Sequence, residues 1–309
     1  MEMEQWMRKG FHRLAASPSA NRMARRWGLR FGAARFVAGE TLEKALEVVR
    51  DLNHRGLEVT LDHLGESVSD AAEAAEAARA CLDTLEGIER TGVRSHLSVK
   101  LTQLGLDIDR SLAEKHVGQI LERAGQAGTF VRIDMEDSAH LPATLELFRE
   151  MRRRYDHVGI VIQAYLYRSE QDLRELEDLG ANVRLVKGAY REPPSVAFPD
   201  KRDVDQNMKK LIDMHLQSGC YTAVASHDPQ ILRHTRERVE QWGIPRDRFE
   251  FQMLYGIRPD LQRDLVERGY RVRIYVPYGT DWFAYFMRRL AERPANVWFV
   301  LKNVGRHVG

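Results

Sequence analysis

The sequence predicts an α/β protein whose strands close into a (β/α)8 barrel. Three observations carry that prediction. Eight short β-branched or apolar runs recur from residue 40 onward, longer segments with helical spacing lie between them, and no Gly-, Ser- or Pro-rich boundary interrupts the alternation. Strands alternating with helices imply βαβ units and a parallel sheet. Eight such units close most economically into a barrel of about 250 residues, which suits a chain of 309. An open doubly wound sheet is the alternative, but no GxGxxG turn follows the first strand.

The strand-like runs fall at 58–61, 96–101, 129–133, 159–165, 183–186, 221–225, 250–254 and 271–276. Helical spacing covers 41–55, 70–89, 112–124, 143–154, 203–217, 230–242, 260–267 and 282–292. Residues 1–37 form an N-terminal helical segment with Arg22, Arg25, Arg26, Arg30 and Arg35 among apolar positions, and 38–309 form a single barrel domain. That basic segment reads as a solvated helical cap or as a surface for anionic lipid.

The 47 basic and 45 acidic side chains leave a formal charge of +2. So near a balance gives no electrostatic case for nucleic acid. Cys81 and Cys220 lie far apart with no CxxC pair, so neither a disulfide framework nor a zinc site is indicated. The opening MEMEQWMRKG has no apolar core of a signal peptide. No apolar run approaches the ~18–20 residues of a membrane span. A cytoplasmic enzyme is the expectation.

Barrel active sites gather at the C-terminal ends of strands. Here those ends carry Asp62, Lys100, Asp134, Gln163, Arg184, Lys187, His227, Gln252 and Tyr275, a polar ring of the kind a ligand site needs. Lys100 or Lys187 as a Schiff-base nucleophile is one reading, although a lysine that neutralises an anion is commoner. Asp134, Glu136, Asp137, His227 and Asp228 as metal ligands is another, without any tight HExxH-like spacing to support it. Asp228 equally suits a helix N-cap. In the last helix Tyr285, Arg288, Arg289 and Glu292 share one side. With Trp282 and Phe286 beside them part of that stripe is buried, and two buried guanidinium groups with one glutamate call for a carboxylate ligand.

The strings SVKLTQLG, VRIDMEDS, QAYLYR, RLVKGAYREP, FQMLYGIR and YVPYGTDWFAYFMRRLAER resemble, in order, the proline dehydrogenase family, especially its single-function bacterial members. The resemblance runs over about residues 35–300. It implies a distorted (β/α)8, TIM-like barrel with extra N-terminal helices, FAD as cofactor, and the last helix lying over the barrel mouth. The implied reaction is oxidation of L-proline to Δ1-pyrroline-5-carboxylate by hydride transfer to the flavin N5, the cofactor supplying the electronic step and the protein the orientation. Lys100, Arg288 and Arg289 would hold the substrate carboxylate. Tyr285 and Tyr190 would flank the ring, with Leu185 as an apolar contact. Asp134 would hydrogen-bond Tyr275, and Glu292 would pair with the arginines or Lys100. Arg184 corresponds to the arginine near N5, where a cation stabilises developing charge. Gln163, Lys187, Gly188, Ser226 and His227 would bind FAD, with Met135 and Val186 beside its ring. The role of Gln252 is left open, as cofactor contact or support.

Ser226 stands where threonine is common, and Phe283 where tyrosine is. Tyr285 is bulky where relatives acting on hydroxyproline have a smaller residue, so proline is the expected substrate. The family passes electrons to a membrane quinone. That implies a peripheral contact on the inner face of the membrane, through residues 1–37 or the tail 297–308 with its apolar Val297-Trp298-Phe299-Val300-Leu301. It also implies hand-off of the product to a separate pyrroline-5-carboxylate dehydrogenase. Two rivals remain beside this reading: a Schiff-base aldolase barrel and a cofactor-free scaffold.

Overall fold

The structure is a computed structural model and describes residues 33–65 and 68–292. The segment 1–32 and the tail from 293 lie outside the described residues, and with them the proposed membrane contact at 297–308 and all but 33–37 of the one at 1–37. So do the side chains of Arg288 and Glu292.

A turn of 3-10 helix (Ala33–Arg35) leads into α1 (Leu42–His54), β1 (Glu58–His63), α2 (Ala71–Thr91), β2 (Ser95–Val99) and α3 (Arg110–Gln126). The chain continues through β3 (Val131–Ile133), α4 (Leu141–Arg152), β4 (Val158–Gln163), α5 (Ser169–Glu177) and β5 (Asn182–Val186). It then runs through α6 (Lys201–Gln217), β6 (Thr222–Ala225), α7 (Pro229–Gln241), β7 (Phe249–Leu254), α8 (Pro259–Glu267), β8 (Val272–Tyr278) and α9 (Trp282–Glu292). Each strand pairs in parallel with the next, and β8 returns to β1 with Pro277 opposite Asp62, closing the barrel.

Local chemistry explains the elements. Asp70 accepts from the amides of Ala72 and Glu73 to start α2, and Gly92 in the left-handed region ends it. Asp109, Asp200 and Asp228 cap α3, α6 and α7 in the same way. The strands are buried on both faces, as a parallel sheet covered by helices requires. The helix α5 was not foreseen: only Leu173 and Leu176 give it an apolar side, and its other buried positions are Ser169 and Asp172.

Two features shape the mouth. First, α1 packs outside β1 and β8, the position the last helix of a regular barrel would take, so α9 is released to the C-terminal rim. There Trp282, Tyr285, Phe286 and Met287 form a second apolar cluster with Phe36, Val37, Leu64 and Ile257, distinct from the main core. Phe36 and Val37, expected in a basic helical cap, are instead buried beneath α9. Second, the barrel interior is charged. Gly159 leaves room for Arg132 to lie across β4, since a Cβ there would fall 2.4 Å from its guanidinium. The buried Arg132 then reaches the Ile160 carbonyl at 3.0 Å and the Asn182 carbonyl at 2.7 Å. Burial, reinforced by Arg184, pushes its pKa down to about 9, so it remains a cation at neutral pH.

Candidate active site

Alternation along each strand decides which side chains enter the barrel. From β1 comes Asp62, from β2 Ser98 and, one residue past its end, Lys100. Asp134 leaves β3, Arg184 sits on β5, Glu250 and Gln252 on β7, and Arg273 and Tyr275 on β8. All but Tyr275 are buried as whole residues, and their hydrogen bonds join them across the lumen. Arg184 donates to Asp134 Oδ1 at 2.6 Å and to Gln252 Oε1 at 2.6 Å, with longer bonds to Ser98 Oγ. The Tyr275 hydroxyl donates to the second Asp134 oxygen at 2.7 Å, and the Arg184 guanidinium lies 5.3 Å from the Tyr275 ring centre. Burial and the Asp134 charge hold the Tyr275 phenol well above its usual range, so it stays a donor. Lys100 Nζ meets both Asp62 oxygens at 3.1 and 3.2 Å. Burial raises the Asp62 pKa, with Lys100 opposing.

Below this ring Glu250 accepts from Arg273 Nε at 2.9 and 3.1 Å. Burial alone would raise the Glu250 carboxyl, but the Arg273 charge and the bonds from Arg273 and Gln252 outweigh it and hold it at about 2. Barrel interiors are usually filled by Val, Ile and Leu. Filling one with ion pairs costs desolvation that Coulomb attraction only partly returns, which marks the interior as a functional rather than a purely structural choice.

The structure thus gathers Lys100, Asp134, Arg184 and Tyr275 at one end of the barrel, with Gln163 at the end of β4 and Val186 on the lumen side of β5. The Gln163 Oε1 is buried with no hydrogen-bond partner among the described atoms. Leu185, the neighbour of Arg184, takes the opposite side and is fully buried in the main core among the helices. Met135 is buried just beyond Asp134. Lys187 turns to Asp205 at 2.5 Å and Asp228 at 2.6 Å, bridging the first turns of α6 and α7. At Gly188, with φ +111°, a Cβ would fall 2.3 Å from the Tyr165 ring, so only glycine lets the chain pass there. Ser226 Oγ accepts from the Asp228 amide at 3.1 Å. The Leu254 amide donates to His227 Nε2 at 2.9 Å, so that nitrogen carries the lone pair and Nδ1 the proton. Tyr190 is half-buried on the loop after β5; Tyr285 is a buried residue of α9, and the Arg289 guanidinium lies 5.0 Å from its ring centre.

The residues weighed as metal ligands do not converge. Asp134 faces Arg184 and Tyr275, Glu136 accepts from Thr102, Asp137 pairs with His140, and Asp228 with Lys187. Among the described residues no group of three or more His, Cys, Asp or Glu could hold an ion. Lys100 and Lys187 are each paired with carboxylates, Asp62 for the first and Asp205 and Asp228 for the second. Asp62 was placed at the mouth by the sequence, and the structure pairs it with Lys100; sequence reasoning missed the other supports, Ser98, Glu250 and Arg273 beneath Arg184, and Asp205 against Lys187. A cavity of about 690 Å³ lined by Glu58, Arg94, His96 and His157 opens at the other, N-terminal end of the barrel and takes no part in this site. No helix among the described residues is long and apolar enough to cross a membrane.

A parallel eight-stranded barrel with a buried, cation-rich C-terminal mouth under its last helix defines a TIM-like barrel enzyme. Residues 45–302 match the family model described as proline dehydrogenase. The chain is 49% identical over 298 residues to "Proline dehydrogenase 1" of Bacillus subtilis, covering 96% of this chain and 99% of that protein. It is 43% identical to the "Proline dehydrogenase" of Deinococcus radiodurans, covering 98% and 99%. Among solved structures, proline utilization A (PutA) from Bdellovibrio bacteriovorus inactivated by N-propargylglycine superposes with a TM-score of 0.79 at 27% identity, covering 84% of this chain. This chain spans about a third of that one, 32%. The chain belongs to the proline dehydrogenase family.

Proposed function

We propose that this protein oxidises L-proline to Δ1-pyrroline-5-carboxylate with FAD as cofactor and a membrane quinone as final acceptor. The observation that carries the reading is the pair of buried cations, Lys100 and Arg184, held by carboxylates at the C-terminal mouth beneath α9, in a chain of this family.

The residues fit a flavin dinucleotide. Gln163 presents an unsatisfied buried oxygen at the mouth, and Gly188 is a backbone passage that any Cβ would block. Gln163, Lys187, Gly188, Ser226 and His227 would hold the group, with Met135 and Val186 beside its ring. When bound, FAD supplies the acceptor for the two electrons and the hydrogen that leave the ring carbon next to nitrogen. The amine loses one proton as the C=N bond forms.

The chain's own part is orientation. Lys100, Arg288 and Arg289 hold the carboxylate, while Tyr190 and Tyr285 fix the ring between them and exclude water. The packed Tyr285 disfavours a 4-hydroxyl. Glu292 would pair with the arginines. Asp134 and Tyr275 form the inner wall and hold Arg184 where negative charge develops. Leu185 supports this wall from the helix side. Contact with the membrane is peripheral, from the cytoplasmic face, and the product passes to a pyrroline-5-carboxylate dehydrogenase.

The decisive experiment is the visible spectrum of purified protein before and after anaerobic L-proline. A yellow flavin spectrum that bleaches is the expected result. A flavin spectrum indifferent to proline would overturn the substrate, and a colourless protein that binds no added FAD would overturn the whole reading.

A further inference from the structure

Arg184 is held on two sides by different chemistry. On one side stands a carboxylate, Asp134, at 2.6 Å. On the other stands an amide, Gln252, whose Oε1 accepts from Arg184 Nε at 2.6 Å. The same amide donates through Nε2 to Glu250 Oε1 at 2.5 Å, and Glu250 in turn accepts from Arg273 Nε. Arg273 Nη1 ends the chain on the Val59 carbonyl at 2.8 Å. All four side chains are buried.

The orientation of Gln252 is therefore unique. A guanidinium can only donate and an ionised carboxylate can only accept, so the amide oxygen must face Arg184 and the nitrogen must face Glu250. Reversing the amide would set two donors against each other and two acceptors against each other, each left unsatisfied in a dry interior. The ion pair at the base of the chain thus fixes the direction of a dipole one residue higher, and that dipole fixes the guanidinium. A glutamate would make the same bond to Arg184. It would also place a second carboxylate on that cation and a like charge against Glu250.

We infer that Gln252 is the positioning residue for Arg184, an uncharged holder that fixes the guanidinium while leaving its positive charge uncancelled on that side. This rests on the reading of Arg184 as the cation beside the cofactor. Asp134 and Gln252 then divide the work: the carboxylate anchors and partly balances the charge, and the amide only orients it.

The test uses the flavin-loaded enzyme and three variants, Q252E, Q252M and R184K, followed by anaerobic redox titration of the bound flavin and by stopped-flow reduction with L-proline. Q252E is expected to make the two-electron potential more negative, corresponding to at least a tenfold shift in the reduction equilibrium, about 30 mV. Q252M removes the acceptor without adding charge. It is expected to keep the flavin spectrum, slow the limiting rate of reduction at least tenfold, and leave the half-saturating proline concentration within about threefold. A merely structural role would not separate potential from rate in this way. If R184K moves potential and rate but Q252E and Q252M match wild type, the inference is overturned while the reading of Arg184 stands. Should Q252E fail to fold, a wild-type limiting rate in Q252M overturns it alone. If R184K itself matches wild type in both measurements, the reading of Arg184 falls and this inference with it.

Discussion

At the scale of single residues, the mouth depends on paired charges whose partners come from distant strands. Lys100 and Asp62 are both nearly inaccessible, with side chains 9% and 1% exposed. Removing one member of a buried pair leaves the other charge uncompensated, at a cost of roughly 3–5 kcal/mol. Asp62→Asn should therefore lower the urea midpoint markedly, and the Lys100→Met, Asp62→Asn double variant should recover much of the loss, since both charges are then gone. A double variant no more stable than Asp62→Asn would mean that the pair is not the source of the cost. In kinetics, Lys100→Met should raise the KM for proline at least tenfold, about 1.4 kcal/mol, with the flavin spectrum retained. An unchanged KM would remove Lys100 from carboxylate binding.

At the scale of elements, the close passages are as specific as the polar residues. Gly159 faces Arg132, and an added Cβ would lie 2.4 Å from the guanidinium, 2.6 Å from the Asn182 carbonyl and 2.8 Å from the Phe130 ring. Arg132 is buried and the Asn182 carbonyl is backbone, so neither yields easily, and Gly159→Ala should destabilise by about 1–3 kcal/mol or more, read as a fall in the melting temperature. The loops after β2 and β3 are joined by His140, which bonds Asp107 at 2.8 Å and Asp137 at 2.6 Å. Partial burial would lower its pKa, but the two aspartates prevail and raise it above 6.5. A raised histidine contributes stability that is complete below the unfolded value and is lost as pH rises through the folded one. The fraction of stability that declines from mildly acid to mildly alkaline pH should thus shrink in His140→Gln, and identical pH profiles would exclude the clamp. Eight strands and most helices were legible because alternation and apolar spacing are local signals. The α5 helix was not, because its nine residues hold just two buried apolar ones. In the site, the residue types at strand ends were readable. The family resemblance implied the bond between Asp134 and Tyr275, but most partners were not readable: Arg184 meets Gln252 68 positions away, a pairing set by register and strand tilt.

At the scale of the whole molecule, two apolar clusters divide the protein into a barrel core and a cover over its mouth. The cover is tied by the Phe36–Phe286 ring contact, by Trp282 Nε1 donating to Glu40 at 3.1 Å, and by Arg35 donating to the Gly256 carbonyl. A separate small cluster is a natural unit of local opening. Phe36→Ala, which removes a fully buried ring, should cost the cover about 3 kcal/mol or more. Amide hydrogen exchange in α9 should then quicken on the order of 100-fold while the barrel strands keep their protection. Equal acceleration in both would make the two clusters one cooperative unit. The strap and the helix it secures also stand 242 positions apart at the Glu40–Trp282 bond. During synthesis at about 5–20 residues per second, Phe36 and Val37 leave the ribosome roughly ten to fifty seconds before their partners exist. Throughout that interval the nascent chain carries an uncovered apolar patch at Phe36 and Val37, a binding opportunity for chaperones and a hazard when translation stalls.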